Sequence, residues 1–465
     1  VLGQNSYKSE IGINSLFSRV SYSYKDLYNV TANFRTDSSS KFGPDNKRAF
    51  FPSISLSWNA ANEDFLANVS EINVLKVRAS GGVVGSANTT DFTYIPFFEV
   101  VPGGYGNNPG VKPSNILPNL FIGWEDTKEI NFGLDFKLFS HRLSGSIDIY
   151  DRLTTGALAL APIPLELGGL DFYSNLMDVS NKGVEINLGG DLVRNENFTW
   201  NVNLNWASNK NELKELYGAN INQFSLDYYV QGQPVGTIKG YRVEKIFQDQ
   251  TEIDDLNAAS PNGFYSSQYT GVGDYKFVDT NGDGEITTLD RQIIGNIQPD
   301  FFGGFSNTFT YKNLSLAAFF QFSVGSETIW DAIPSGVYNS LGANKLAEYG
   351  LNTWTPENTG ATYAKAVYTD PAGNSRISDK YLFDTSYLRL KNIQLTYNFE
   401  KNLIEKLSLS RASVFIAASN MLTFTKYPGL DPETFGDSSG ITGQTNNLDP
   451  YPLAKSVSVG VQLQF

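Results

Sequence analysis

The chain has 465 residues, of which 14% are aromatic and only 18% are Asp, Glu, Lys or Arg, against about 25% charged in ordinary soluble domains. Its net charge of −13 excludes a nucleic-acid surface, which needs clustered Lys and Arg to neutralise phosphates, and no nucleic-acid partner is expected. There is no Cys, so neither disulfides nor thiol chemistry enter. Mean hydropathy is −0.25, and no stretch approaches the roughly 18 consecutive apolar residues of a membrane-spanning helix.

Many aromatics, few charges and no long apolar run are reconciled by strands in which each lipid-facing residue alternates with a polar one facing water. In chain order the alternation predicts strands near 15–25, 28–37, 50–59, 75–85, 126–138, 142–153, 181–194, 198–208, 303–311, 313–324, 387–399, 407–419 and 455–465, roughly thirteen in all. The last shows it best: Val457, Val459, Val461, Leu463 and Phe465 alternate with Ser458, Gly460, Gln462 and Gln464. Val202, Leu204 and Trp206 likewise alternate with Asn201, Asn203 and Asn205.

A soluble β-sandwich shares that alternation, and the connections separate the two. Short links (Asp26-Leu27, 60–74, Phe139-Ser140-His141, Asn195-Glu196-Asn197, Lys312, 400–406) alternate strictly with long ones at 38–49, 86–125, 154–180, 209–302, 325–386 and 420–454. Short periplasmic turns and long extracellular loops mark an outer-membrane barrel. The expected fold class is therefore all-β, a transmembrane antiparallel β-barrel filling residues 1–465 as one C-terminal portion, in the outer membrane of a Gram-negative bacterium. The strand count is odd and starts outside, so upstream strands are expected to complete a barrel of roughly 22 strands. The start Val1-Leu2-Gly3-Gln4-Asn5 carries no export-signal pattern, and the chain is expected to begin in mid-barrel. Phe465, an aromatic last residue, resembles the signal read by the outer-membrane insertion machinery.

The sharpest local motif is Asp279-Thr280-Asn281-Gly282-Asp283-Gly284-Glu285-Ile286-Thr287-Thr288-Leu289-Asp290. Oxygens from Asp279, Asn281, Asp283, the Glu285 carbonyl and Asp290, with Gly284 for the sharp turn, have the spacing of a loop offering a hard cation roughly six to eight oxygens. Ca²⁺, or Mg²⁺, is expected there as a structural pin; the shorter Asp290 stands where Glu is usual. An Asx-rich turn without metal is the alternative. Loop aromatics Tyr105, Tyr228, Tyr229, Trp330 and Trp354 could stack on cargo, although rings that pack loops together explain them as well. Catalysis finds no support: His141 is the only His, which removes a Ser–His–Asp relay and a His-rich metal site, and the acid pairs Asp254-Asp255 and Glu125-Asp126 read as solvated loop residues.

Collinear segments resemble the SusC/RagA family of TonB-dependent outer-membrane transporters of Bacteroidetes. They are Ser15-Leu16-Phe17-Ser18-Arg19-Val20-Ser21-Tyr22, the run from Phe34 to Pro44, Phe51-Pro52-Ser53-Ile54-Ser55-Leu56-Ser57-Trp58, Leu75-Lys76-Val77-Arg78-Ala79-Ser80-Gly81-Gly82, Trp124-Glu125-Asp126-Thr127-Lys128-Glu129, Asn181-Lys182-Gly183-Val184-Glu185, Asp279-Thr280-Asn281-Gly282-Asp283-Gly284 and Tyr387-Leu388-Arg389-Leu390-Lys391-Asn392. The resemblance implies uptake of oligosaccharides or peptides through a gated barrel, a SusD-like surface lipoprotein as lid, and energy from TonB. The family's plug and TonB-gripping segment lie upstream, and nothing in this chain corresponds to them. A non-transporting binding, adhesion or secretion-associated barrel is the second reading. The loops carry no code that names the cargo, and oligomeric state is not legible.

Overall fold

The computed structural model describes residues 10–66, 68–89, 91–101, 110–162, 171–217, 229–330, 347–433, 444–445 and 453–465. Its long strands are β1 Ile13–Tyr24, β2 Tyr28–Ser39, β3 Arg48–Asn59, β4 Ile72–Ser86, β5 Glu125–Leu138, β6 Leu143–Pro162, β7 Asp171–Arg194, β8 Phe198–Leu216, β9 Phe301–Tyr311, β10 Leu314–Val324, β11 Tyr387–Asn398, β12 Arg411–Thr425 and β13 Ser456–Gln464. Each falls on a segment where alternation predicts a strand, and the fold is the mostly-β, antiparallel barrel fold expected. The tight links are built as strand twist demands: Lys25 and Asp26 take φ of 53° and 54°, the left-handed conformation of a two-residue hairpin turn. In the Asn195 turn, that residue's Oδ1 accepts the N–H groups of Asn197 and Phe198.

The expected loop at 154–180 needs correction. β6 continues to Pro162 and β7 begins at Asp171, so much of that segment is strand; β8 likewise runs on to Leu216. The ladder persists here while the side-chain alternation lapses. Gly156 has φ of 65°, and the β6–β7 register slips at Asn175/Met177 and again at Met177/Val179. Each slip exchanges the faces, which hides the strand from a period-two reading.

Two compact units make up the chain: Val1–Leu226 with Val230–Gln233 and Gly303–Lys312, and Asp227–Tyr229 with Pro234–Phe302 and Asn313–Phe465. In the first, β1 to β8 each pair antiparallel with the next strand in sequence. Residues in register form rows crossing all eight strands. One reads Tyr24, Tyr28, Trp58, Val77, Leu134, Ile147, Ile186, Trp206, and the next row on the same face Tyr22, Val30, Leu56, Ala79, Phe132, Ile149, Val184, Ser208. Between them on the opposite face runs Ser23, Asn29, Ser57, Arg78, Gly133, Asp148, Glu185, Ala207. The first face belongs in lipid, the second in a watery bore.

The apolar band has edges. It opens at the row Leu138, Leu143, Gly190, Val202 beside the tight turns, and it closes where Asp151, Lys182 and Lys210 occupy the lipid-side positions, with Lys182 and Asp151 ion-paired at 2.6 Å. From Leu143 to Asp151, β6 covers about 27 Å at roughly 3.4 Å per residue. Tilted by about 40°, that is about 21 Å of height, close to the ~25 Å apolar band of outer-membrane barrels.

In the second unit, β10 to β13 pair in the same sequential way. Leu316, Leu395, Ile416 and Val459 form an apolar row, and Ala317, Gln394, Ala417 and Ser458 lie on the other face. Val457, Val459, Val461 and Leu463 are 62, 78, 64 and 51% exposed, so the last strand does not bury its apolar row in protein. Within the expected outside segments 209–302 and 325–386, residues between 238 and 286 and between 329 and 381 share a core centred on Phe247, Ile253, Tyr275, Phe277 and Tyr381. Helix α1, Gln250–Ala259, starts at Asp249, whose side chain accepts the Thr251 N–H, and it contributes Ile253 to that core. Burial pushes the Tyr275 hydroxyl up to about 12.

Candidate functional site: the polar inner face and its loop anchors

The inner face of the first unit is organised by register. Arg78 on β4 reaches two strands at once: Nε and Nη2 donate to Asp135 on β5 at 2.8 Å each, and Nη1 and Nη2 donate to Asp148 on β6 at 2.9 and 3.0 Å. It can lie flat because Gly133 stands between; a Cβ there would come 2.5 Å from the guanidinium carbon. Glu129 on β5 pairs with Arg152 on β6 at 3.0 Å. Farther along, Asn181 Oδ1 accepts from both Asn209 and Asn211 at 2.9 Å, and the Tyr150 hydroxyl donates to Asn209 at 3.1 Å. The face thus offers paired charges and a lattice of carboxamides and hydroxyls. That chemistry holds polar surfaces by hydrogen bonds.

In the second unit a denser cluster anchors the segment after β12. Arg389, 2% exposed, donates to Asp431 and Glu433 at 2.6 Å each and to the Thr423 hydroxyl at 2.9 Å. Lys391 also reaches Glu433. Burial works to raise the Asp431 carboxyl, but hydrogen bonds from Arg389 and from the Glu433 N–H outweigh it, and the net shift is downward. Sequence reasoning missed both hubs because their partners lie far apart in the chain. The signal was indirect: Arg78 and Arg389 sit inside two of the stretches that carry the family resemblance.

The motif at 279–290 folds as a tight, polar turn. Asp279 accepts the Gly282 and Gly284 N–H groups at 2.7 and 2.8 Å, and Asn281 donates to Asp283 at 2.7 Å. Gly282 and Gly284 have φ of 73° and 85°, the left-handed region that a side chain disfavours. The Glu285 carboxylate turns away, accepting from Ser260 and Asn262. Asp290 is fully buried, and its two oxygens accept the Thr280 and Thr287 N–H groups. Asp279, Asn281 and Asp283 are therefore brought together, while the Glu285 carboxylate binds Ser260 and Asn262 outside the loop and the Asp290 carboxylate binds backbone of the loop itself. Among the described residues no three His, Cys, Asp or Glu side chains form a group that could hold a metal.

The aromatic candidates divide. Tyr105 and Tyr228 lie outside the described residues. Trp330 is buried against Tyr349, Phe383 and Tyr427, and Trp354 donates to Gln248 while covering Gly273. Tyr229 is half-buried. Both tryptophans pack loops together. His141 is exposed in its turn with φ of 68°, and Asp254 and Asp255 are exposed on α1.

Strands with a lipid-side face, a polar inner face, tight turns at one rim and folded segments at the other define an outer-membrane β-barrel. The family model for the TonB dependent receptor-like beta-barrel matches residues 2–420, and the chain belongs to that family. It is 32% identical over 478 residues to TonB-dependent receptor P3 of Formosa agariphila, covering 99% of this chain and 46% of that protein. It is 30% identical over 480 residues to TonB-dependent receptor SusC of Bacteroides thetaiotaomicron, covering 99% and 44%. The solved RagAB peptide importer in its closed-closed state superposes with a TM-score of 0.81 at 26% identity, covering 98% of this chain and 48% of that one. The chain spans about half the length of the curated relatives it matches.

Replacing Arg389 by Gln leaves the Asp431 carboxylate without its cation and Glu433 with Lys391 alone. The expected cost is about 3–5 kcal/mol, read as easier unfolding of the full-length protein in detergent and faster proteolysis within 426–433. Because the Asp431 carboxyl is shifted down, its contribution is present in full above its ordinary value of 3.8 and is lost as the pH falls below that. An Arg389→Gln protein as stable as the parent at neutral pH would contradict the anchoring role.

Proposed function

We propose that this chain forms barrel wall and extracellular loops of a SusC-like importer that passes oligosaccharides or peptides across the outer membrane. In this reading a plug gates the bore, TonB supplies the energy through a segment upstream of these residues, and a SusD-like surface lipoprotein closes the outer mouth. The observation that carries it is the inner face: strand after strand, Ser, Asn and paired charges occupy the positions between lipid-facing rows. Such a bore suits bulky polar molecules. The likeness to SusC and to a peptide importer supports the same class. In this reading the mechanism is binding and gated passage.

Cells carrying the full-length protein and its neighbouring lipoprotein are expected to take up members of a fluorescent oligosaccharide and peptide panel only while TonB is present. Uptake that persists without TonB, or none from the whole panel, contradicts importer function.

We propose in addition that the 279–290 loop takes Ca²⁺, or Mg²⁺, as a structural pin. Asp279, Asn281, Asp283 and the Glu285 carbonyl would hold it, with Asp290 at the closing position; the oxygen-only donor set supports a hard cation. The ion would stiffen an outside segment and take no part in passage. Excess Ca²⁺ is expected to stabilise the full-length protein in detergent by about 2–3 kcal/mol at roughly a hundredfold above Kd, and Asp279→Asn with Asp283→Asn to abolish the effect. Identical melting with Ca²⁺ and with chelator contradicts the pin.

A further inference from the structure

The lipid-side face of the first unit has one irregular place. Beside the tight turn at Phe139–His141, a furrow of about 440 Å³ lies over Gly190, walled by Leu143, Leu188, Leu192, Val202 and Leu204. Gly190 falls in the lowest lipid-side row, between Leu143 and Val202, and puts no side chain into the furrow. None is tolerated at that position. A Cβ on Gly190 would meet the Arg142 carbonyl oxygen at 2.4 Å, and the register slip at Asp191/Val193 next to it splays the strand.

The furrow's end is charged. Arg142 borders it and is exposed, and its guanidinium donates a long hydrogen bond, 3.5 Å, to the Asp191 carbonyl. The neighbouring Asp191 carboxylate is already engaged, by Asn201 at 2.9 Å and by Arg194 at 3.5 Å. The furrow thus ends on the exposed Arg142 guanidinium, which makes no ion pair among the described residues, at the height where the apolar rows end. That is the depth of the lipid headgroups.

We propose that this furrow is a binding site for a phospholipid of the leaflet at the tight-turn rim, one acyl chain lying over Gly190 and the phosphate against Arg142. An apolar trough open to hydrocarbon with a cation at headgroup depth matches both halves of an anionic lipid. A protein partner would have to displace bilayer lipid to reach it. The site depends on the wall's orientation in the membrane and not on transport.

The test uses full-length protein in detergent, washed to remove loosely held lipid, with phosphatidylglycerol as the added probe and native mass spectrometry to count bound lipids. The wild type is expected to keep one lipid through the wash. Arg142→Gln should weaken phosphatidylglycerol binding about fivefold, the effect of one interfacial cation, and Val202→Trp, which fills the trough, should abolish retention. Leu134→Trp, on the same face but away from the furrow, should leave retention unchanged. Equal retention in wild type and Arg142→Gln, or an equal loss in Leu134→Trp, overturns the site. Should Val202→Trp fail to fold, the exposed Arg142 variant decides alone.

Discussion

Within hydrocarbon a backbone N–H or C=O has no water to turn to, so every such group must find its partner on a neighbouring strand. The rest of this structure follows from that requirement. Strands must pair continuously, continuous pairing fixes register, and fixed register sends alternate side chains to opposite faces. The apolar rows through Val77, Leu134, Ile147 and Ile186, and the polar rows between them, are one constraint seen from two sides.

The same register assembles the polar chemistry. Arg78 and Asp148 share a row, with Gly133 between them leaving room for the guanidinium, and Asp135 stands in the adjacent row of the same face. Pairing those charges across neighbouring strands keeps the inner face polar while each ion has its counter-charge beside it. At the outer mouth Arg389 does a related task, tying the chain that follows β12 back onto β11 through Asp431 and Glu433. Outside the membrane, where water returns, the constraint relaxes. There the long segments fold by ordinary means, around Phe247, Tyr275 and Tyr381.

How much was legible follows the same physics. Where one face meets lipid, as in β13 or at Asn201 to Trp206 in β8, composition alternates and the strand can be read directly. Past Leu153 and before Asn181 both faces meet water or protein, polar residues such as Thr154 and Ser180 occupy either side, and the strands went unread although the ladder continues. The turn at 279–290 was legible as a tight polar loop because its glycines and carboxylates act locally. The two arginine hubs were not, since Arg78 meets Asp148 and Arg389 meets Asp431 only through long-range register and loop folding. Trp330 shows the converse: a conspicuous loop aromatic whose work is packing.

These 465 residues hold no cysteine, so once any cysteine elsewhere in the full-length protein is replaced, the lipid–water alternation can be read one residue at a time. Single cysteines placed from Gly145 to Ile149 along β6 in the full-length protein, spin-labelled and reconstituted in bilayers, report contact with membrane-dissolved oxygen against a water-soluble nickel relaxant. Oxygen contact is expected to peak at Ile147 and Ile149, and nickel contact at Ser146 and Asp148. A profile without period two, or one with Ser146 and Asp148 in lipid, would contradict the assignment of the two faces.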